Sequence, residues 1–228
     1  MLASILRYLP PPMPPPTEPV VRPRERIVAI GDSITQAGGY LRIIDAVFAR
    51  QYPHLRLPPI VNAGVGGHKA EDMAARFDAD VLAHSPDRVF INAGVNDVWH
   101  RLTMPERSDV LDAYRANVAR MTRAALARGA HVLLLTPTLI GETAESEGNR
   151  RLSRYVDAMR AVAAETGAGL CDLHALFLAV LATAARPANW LTTDGVHMRP
   201  AGDAVMAIGV LRSLGVPDDR IAVADTLS

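Results

Sequence analysis

Ile27-Val-Ala-Ile-Gly-Asp-Ser-Ile-Thr35 is the stretch that decides how this chain folds. A short apolar strand ends at Gly31, and Asp32 and Ser33 fall on the turn that follows. In an α/β sheet that turn faces the crevice at the carboxyl ends of the strands, where ligands usually bind. A serine held there can act as a nucleophile once a base reaches it. A candidate base stands far downstream in Asp194-Gly-Val-His197. A hydroxyl near one end and a carboxylate–imidazole pair near the other are the raw material of acyl transfer.

From Arg24 onward, short apolar runs alternate with longer helical periods. The expected strands are Ile27–Ile30, Ile60–Asn62, Val89–Asn92, Val132–Thr136 and Gly169–Cys171. Helices are expected near Tyr40–Gln51, Lys69–Leu82, Ser108–Arg128, Asn149–Thr166, Leu173–Ala185 and Ala201–Leu214. Within Ser108–Arg128, Val110, Leu111, Tyr114, Val118, Met121 and Leu126 recur at helical spacing, and Gly129 marks the stop. Strand–helix alternation implies right-handed crossovers and a parallel sheet covered on both faces. The expected fold class is therefore α/β, three layers with a five-stranded parallel sheet in a flavodoxin-like order.

Residues 1–23 hold eight of the 17 prolines. Proline fixes φ and removes an amide donor, so this segment reads as an extended polyproline-like arm outside the core. It is either a plain leader or a strap for a partner domain or neighbouring subunit. Residues 24–228 read as one domain without internal repeats. The chain of 228 residues, 49% hydrophobic, is long enough to bury a core without staples. Lys plus Arg and Asp plus Glu both number 24, which argues against non-specific nucleic-acid binding. Cys171 is the only cysteine, so an internal disulfide and a cysteine-based metal cluster are excluded. No apolar run approaches the ~18 residues of a membrane span. Met1–Leu9 lacks the apolar core of a signal peptide, so the cytoplasm is the expected compartment.

Three strands end in small or polar residues: Gly31-Asp-Ser33, Asn62-Ala-Gly-Val-Gly-Gly67 and Asn92-Ala-Gly-Val-Asn-Asp97. Parallel strands put these turns on one rim, so Ser33, Gly67 and Asn96 can converge. Ester hydrolysis builds negative charge on the carbonyl oxygen, and a single donor aimed at it contributes ~2.7–4 kcal/mol. The Asn96 amide and the backbone N–H groups of Gly67 and Ser33 are the candidate donors. Asp194 lies three residues before His197, close enough to fix the imidazole tautomer.

Each block alone has a plainer reading: a turn, a phosphate-cradling loop, a surface pair. The dinucleotide pattern fails, because its third glycine position is Lys69, and neither a Gly-Lys-Ser/Thr loop nor Gly-x-Ser-x-Gly occurs. No spacing of His, Asp or Glu marks a metal site, and the chemistry calls for no cofactor. His54, His84, His131 and His174 fit structural roles.

The four blocks Gly31-Asp-Ser-Ile-Thr35, Asn62-Ala-Gly-Val-Gly-Gly67, Gly94-Val-Asn-Asp97 and Asp194-Gly-Val-His197 occur in the order of the SGNH (GDSL-type) ester hydrolases. Over roughly Arg24 to Leu214 the chain resembles that family. The resemblance implies Ser33 as nucleophile, His197 as base and Asp194 as its orienting partner. It also implies an oxyanion hole made by Ser33, Gly67 and Asn96. Tyr40, His68, Trp99, His100 and Trp190 follow or precede these blocks and are candidate substrate contacts, with core packing as the alternative. The walls Val98–Arg107 and Leu139–Gly148 are too short for a large hydrophobic lid, which favours short acyl groups. The family also includes acetyl esterases of carbohydrates, lysophospholipases and thioesterases. An acyltransferase on the same site and a non-enzymatic flavodoxin-like binding module are the remaining alternatives. The expected partner is a small-molecule ester.

Overall fold

The computed structural model describes residues 1–11, 19–183 and 187–223. Five strands form one parallel sheet: β1 (Ile27–Gly31), β2 (Val61–Gly64), β3 (Arg88–Asn92), β4 (His131–Leu135) and β5 (Gly169–Cys171). Their order is β2-β1-β3-β4-β5, as expected for the flavodoxin-like arrangement. β1 and β3 occupy the middle and are buried at every residue, which is why they read as unbroken apolar runs. In register, Gly31 lies beside Gly64, and Asn92 beside Leu135, so the strands finish on a common rim.

The helices are α1 (Leu2–Leu6), α2 (Ser33–Ala37), α3 (Gly39–Gln51), α4 (Ala70–Asp80), α5 (Val95–Trp99), α6 (Ser108–Ala127), α7 (Glu147–Thr166), α8 (Leu173–Leu181), α9 (Pro200–Ser213) and α10 (Asp218–Val223). α6 packs with α4 and α7 in one layer, and α9 packs with α3 and α8 in the other. Among the described residues no helix is long and apolar enough to cross a membrane.

The amino-terminal segment corrects the expectation of an extended arm. Residues 2–6 are helical, and Leu2, Ile5, Leu9 and Val21 are buried. The cause lies in α9, whose residues 204–211 are buried all round. A helix apolar on every side needs cover on every side, and α1 and α10 both pack against it. The Val20 N–H donates to the Leu214 carbonyl at 2.8 Å, tying the chain to the end of α9. The Arg88 guanidinium, at the start of β3, then bonds the buried Glu25 carboxylate and the Val20 carbonyl. The proline run at 12–18 lies outside the described residues.

Candidate active site

Ser33 opens α2, and the turn before it is locked by its neighbours. The Asp32 carboxylate accepts the Ile34 N–H at 2.9 Å and caps the helix. α2 then passes so close to β2 that a Cβ on Gly64 would stand 2.2 Å from the Gln36 nitrogen, so only glycine fits. Asp32 is fully buried, and that burial pushes its pKa up to about 6, against the Ile34 N–H and the nearby His197.

The second turn, 65–68, closes with the His68 N–H on the Val65 carbonyl at 3.3 Å. Gly67 has φ of +78°, a conformation that favours glycine. The Gly66 N–H is used by the Gln36 side chain at 3.0 Å, and the Gly64 N–H by the Asn62 side chain at 2.9 Å. The Gly67 N–H has no partner among the described residues. Arg76 on α4 staples the turn from below: its guanidinium bonds the carbonyls of Ala63 and Gly31 and the His68 ring nitrogen Nδ1.

The third turn carries Asn96 on α5, buried at 2% exposure. Its Nδ2 donates one hydrogen to the His68 carbonyl at 3.1 Å, which leaves the second for a ligand. The adjacent Asp97 accepts the Ala70 N–H, with its oxygens at 3.2 and 3.4 Å, so α5 is also tied to the first turn of α4. Burial lifts the Asp97 carboxyl to about 7, over the opposing pull of that N–H, Lys69 and Arg101. Asp97 lines a cavity of about 330 Å³ together with Arg101, Met104, Tyr114 and Tyr155.

The fourth piece comes from the loop before α9. The Ser33 hydroxyl lies 2.9 Å from His197 Nε2, and His197 Nδ1 lies 2.7 Å from an Asp194 carboxylate oxygen. The other Asp194 oxygen accepts the N–H groups of Val196 and His197 at 3.0 and 2.9 Å. Partial burial pulls the Asp194 carboxyl upward, but these donors and the His197 ring outweigh it and hold the pKa at about 2. Asp194 is thus a carboxylate at any working pH, and the His197 proton is directed to Nδ1, leaving Nε2 free to accept from Ser33. The pair stands open to solvent, with side chains 40% (His197) and 45% (Asp194) exposed.

The Ser33 hydroxyl, the His197 imidazole and the Asp194 carboxylate therefore meet across 164 residues of sequence. Of the proposed substrate contacts, Trp99 is at the site: its ring stands edge-on to His197 with centroids 5.7 Å apart. His100 is exposed and borders the Gly67 turn, its Cε1 4.0 Å from where a side chain at Gly67 would begin. His68 contributes a carbonyl to Asn96 and a ring nitrogen to Arg76. Tyr40 is a correction: it is completely buried, with its hydroxyl 3.1 Å from the Thr35 hydroxyl, and it cannot touch a ligand. Trp190 is half-buried and packs edge-on against Tyr8 of the amino-terminal segment, at 5.2 Å. Gln36, Arg76 and Glu142 escaped the sequence reading, because each acts through hydrogen bonds to distant backbone that no spacing announces. Among the described residues no three His, Cys, Asp or Glu side chains are grouped to hold a metal ion.

The sequence model of the GDSL-like lipase/acylhydrolase family matches residues 29–205. The chain is 31% identical over 209 residues to the acetylxylan esterase of Geobacillus stearothermophilus, covering 84% of this chain and 94% of that one. The crystal structure of an acetylxylan esterase from the same organism superposes with a TM-score of 0.78 at 29% identity, over 86% of this chain and 96% of that chain. An alpha/beta hydrolase from the metagenome of Lake Arreo, Spain, gives 0.79 at 29% identity, over 87% and 99%.

Proposed function

This chain belongs to the GDSL-like lipase/acylhydrolase family and is a carboxylic ester hydrolase, and from that premise we propose that it removes short acyl groups, acetyl foremost, from carbohydrate esters through an acyl-enzyme on Ser33. The observation that carries the proposal is the relay from Ser33 through His197 to Asp194, with contacts of 2.9 and 2.7 Å, on an open rim. An open site suits a compact acyl group on a bulky, solvated alcohol better than a long chain that needs an apolar tunnel. The acetylxylan esterase relative supports the same substrate class. In the crystallised acetylxylan esterase from that organism, catalytic mutants replace a serine, an aspartate and a histidine by alanine, the last two three positions apart. Asp194 and His197 have the same separation.

In the proposed reaction the Ser33 oxygen attacks the ester carbonyl while His197 Nε2 takes its proton. The Asp194 carboxylate stabilises the resulting imidazolium. The N–H groups of Ser33 and Gly67 and the free Asn96 hydrogen receive the negative oxygen. His197 returns the proton to the leaving alcohol, and water releases the acyl group by the reverse sequence of steps. The test is turnover of p-nitrophenyl esters from acetate to palmitate, together with acetate release from acetylated xylo-oligosaccharides. A peak at two to four carbons and release from the oligosaccharides are expected. A maximum at long chains would overturn the short-acyl reading.

A further inference from the structure

The loop that carries the base is not part of the sheet, and one acidic side chain holds it. The Glu142 carboxylate accepts three consecutive backbone N–H groups, those of Trp190, Leu191 and Thr192, at 3.0, 2.9 and 2.7 Å. It also accepts the Thr192 hydroxyl at 2.9 Å. Charge-assisted bonds of this kind are roughly twice as strong as neutral ones. Beside them the Gly141 N–H donates to the Gly195 carbonyl at 2.8 Å, between Asp194 and His197.

Glu142 is itself fixed from behind. The buried Asn149 of α7 accepts the Ile140 N–H at 2.7 Å and donates to the carbonyls of Gly141 and Thr143. Ser146 adds a bond to the Ile140 carbonyl at 2.8 Å. Beyond residue 192 the base loop folds back on itself: Thr192 bridges Met198, and the Arg199 N–H returns to the Leu191 carbonyl at 2.8 Å. Asp194 and His197 therefore ride on a closed unit whose foot is residues 190–192. A shift of that foot moves both together relative to Ser33, which belongs to the sheet.

We propose that Glu142 is a positioning residue for the base: by gathering the 190–192 backbone it sets the Ser33–His197 separation. The inference rests on His197 acting as the base of Ser33. Misplacement by about 1 Å can cost on the order of 100-fold in rate, so Glu142→Ala is expected to lower kcat about 10- to 100-fold with KM nearly unchanged. Glu142→Gln keeps one carbonyl oxygen for three of the four donors and should lose roughly 3-fold, the share of one hydrogen bond.

The experiment treats wild type and both variants with a p-nitrophenyl alkylphosphonate. The burst of p-nitrophenolate counts reactive serines, and the inactivation rate reports how well each is activated. A full count of sites reacting more slowly, in parallel with kcat on p-nitrophenyl acetate and graded from Gln to Ala, is the expected result. Normal rates per titrated site in both variants, with only fewer sites or a lower melting temperature, would overturn the proposal and leave Glu142 a structural residue. If Glu142→Ala does not fold, the Glu142→Gln rates decide on the same criterion. Absence of any phosphonate burst in the wild type would remove the ester-hydrolysis mechanism first, and the inference with it.

Discussion

The two sides of the site are built differently. Ser33, Gly67 and Asn96 hang from the ends of three neighbouring strands, so the main chain of the sheet sets their spacing. The 190–199 loop has no strand beneath it; the Thr192–Met198 bridge, the backbone bond from Gly141 to Gly195, and side-chain bonds from Glu142 and Arg199 shape it. Under the proposed mechanism, attack and oxyanion binding would rest on the main chain of the sheet, whereas proton transfer would rest on a loop that side-chain bonds help to hold. The proposed chemistry asks for this difference: oxyanion donors act only if they are fixed before charge develops, whereas His197 as the proposed base would take and return a proton in every cycle.

The sharpest break is at the junction of the two sides. Ser33→Ala should leave the melting temperature close to that of wild type and reduce kcat by about 10⁴-fold or more; retained turnover would break the assignment of both halves. On the loop side, Asp194→Asn removes the acceptor that sets the His197 tautomer, and kcat should fall by about 10³- to 10⁴-fold. On the sheet side, Asn96→Ala should lower kcat by about 100- to 1000-fold on p-nitrophenyl acetate. An Asn96→Ala enzyme with normal kcat would show that the third turn is scaffold alone.

A separate effect tests the sheet side through stability. Burial raises the folded-state pKa of Asp97 from the ordinary 3.8 to about 7. The folded protein therefore holds this proton where the unfolded chain has lost it. The associated stability is full below about pH 4 and is lost as the pH rises to about 7. Asp97→Asn keeps an oxygen for the Ala70 N–H without the charge. Its unfolding free energy in urea should gain on wild type across that window, by up to about 4 kcal/mol at pH 8. A difference independent of pH would contradict the assignment. The smallest effect belongs to Tyr40→Phe, which removes only a buried hydroxyl contact with Thr35. Its kcat and KM should stay within about twofold of wild type, with a stability loss of about 1 kcal/mol. A changed KM would return Tyr40 to the ligand.

The same division explains what could be read in the sequence. The strands were legible to within two residues, the larger miss falling at the end of β2, because β1 and β3 are buried along their whole length and read as apolar runs. The place of Ser33, Gly67 and Asn96 on the rim followed from the strand ends. α2 and α5 read as turns, since five residues are too few to show a helical period. α1 was hidden by the prolines that follow it, although the all-round apolar face of α9 was a sign that another element had to cover it. Tyr40 was misplaced because proximity in sequence to Ser33 says nothing about the face of α3 on which a residue falls. Glu142 left no trace, since three bonds to backbone N–H groups impose no pattern on the stretch that donates them.

Activation of Ser33 by His197 is the central step of the proposed mechanism, and covalent labelling measures it directly. The whole protein and His197→Ala would be exposed to the serine-reactive phosphonate and the adduct located by peptide mass. One adduct per chain is expected, on Ser33, formed at least about 100-fold more slowly without the imidazole. Labelling elsewhere, or at Ser33 with equal speed in both proteins, would contradict that mechanism.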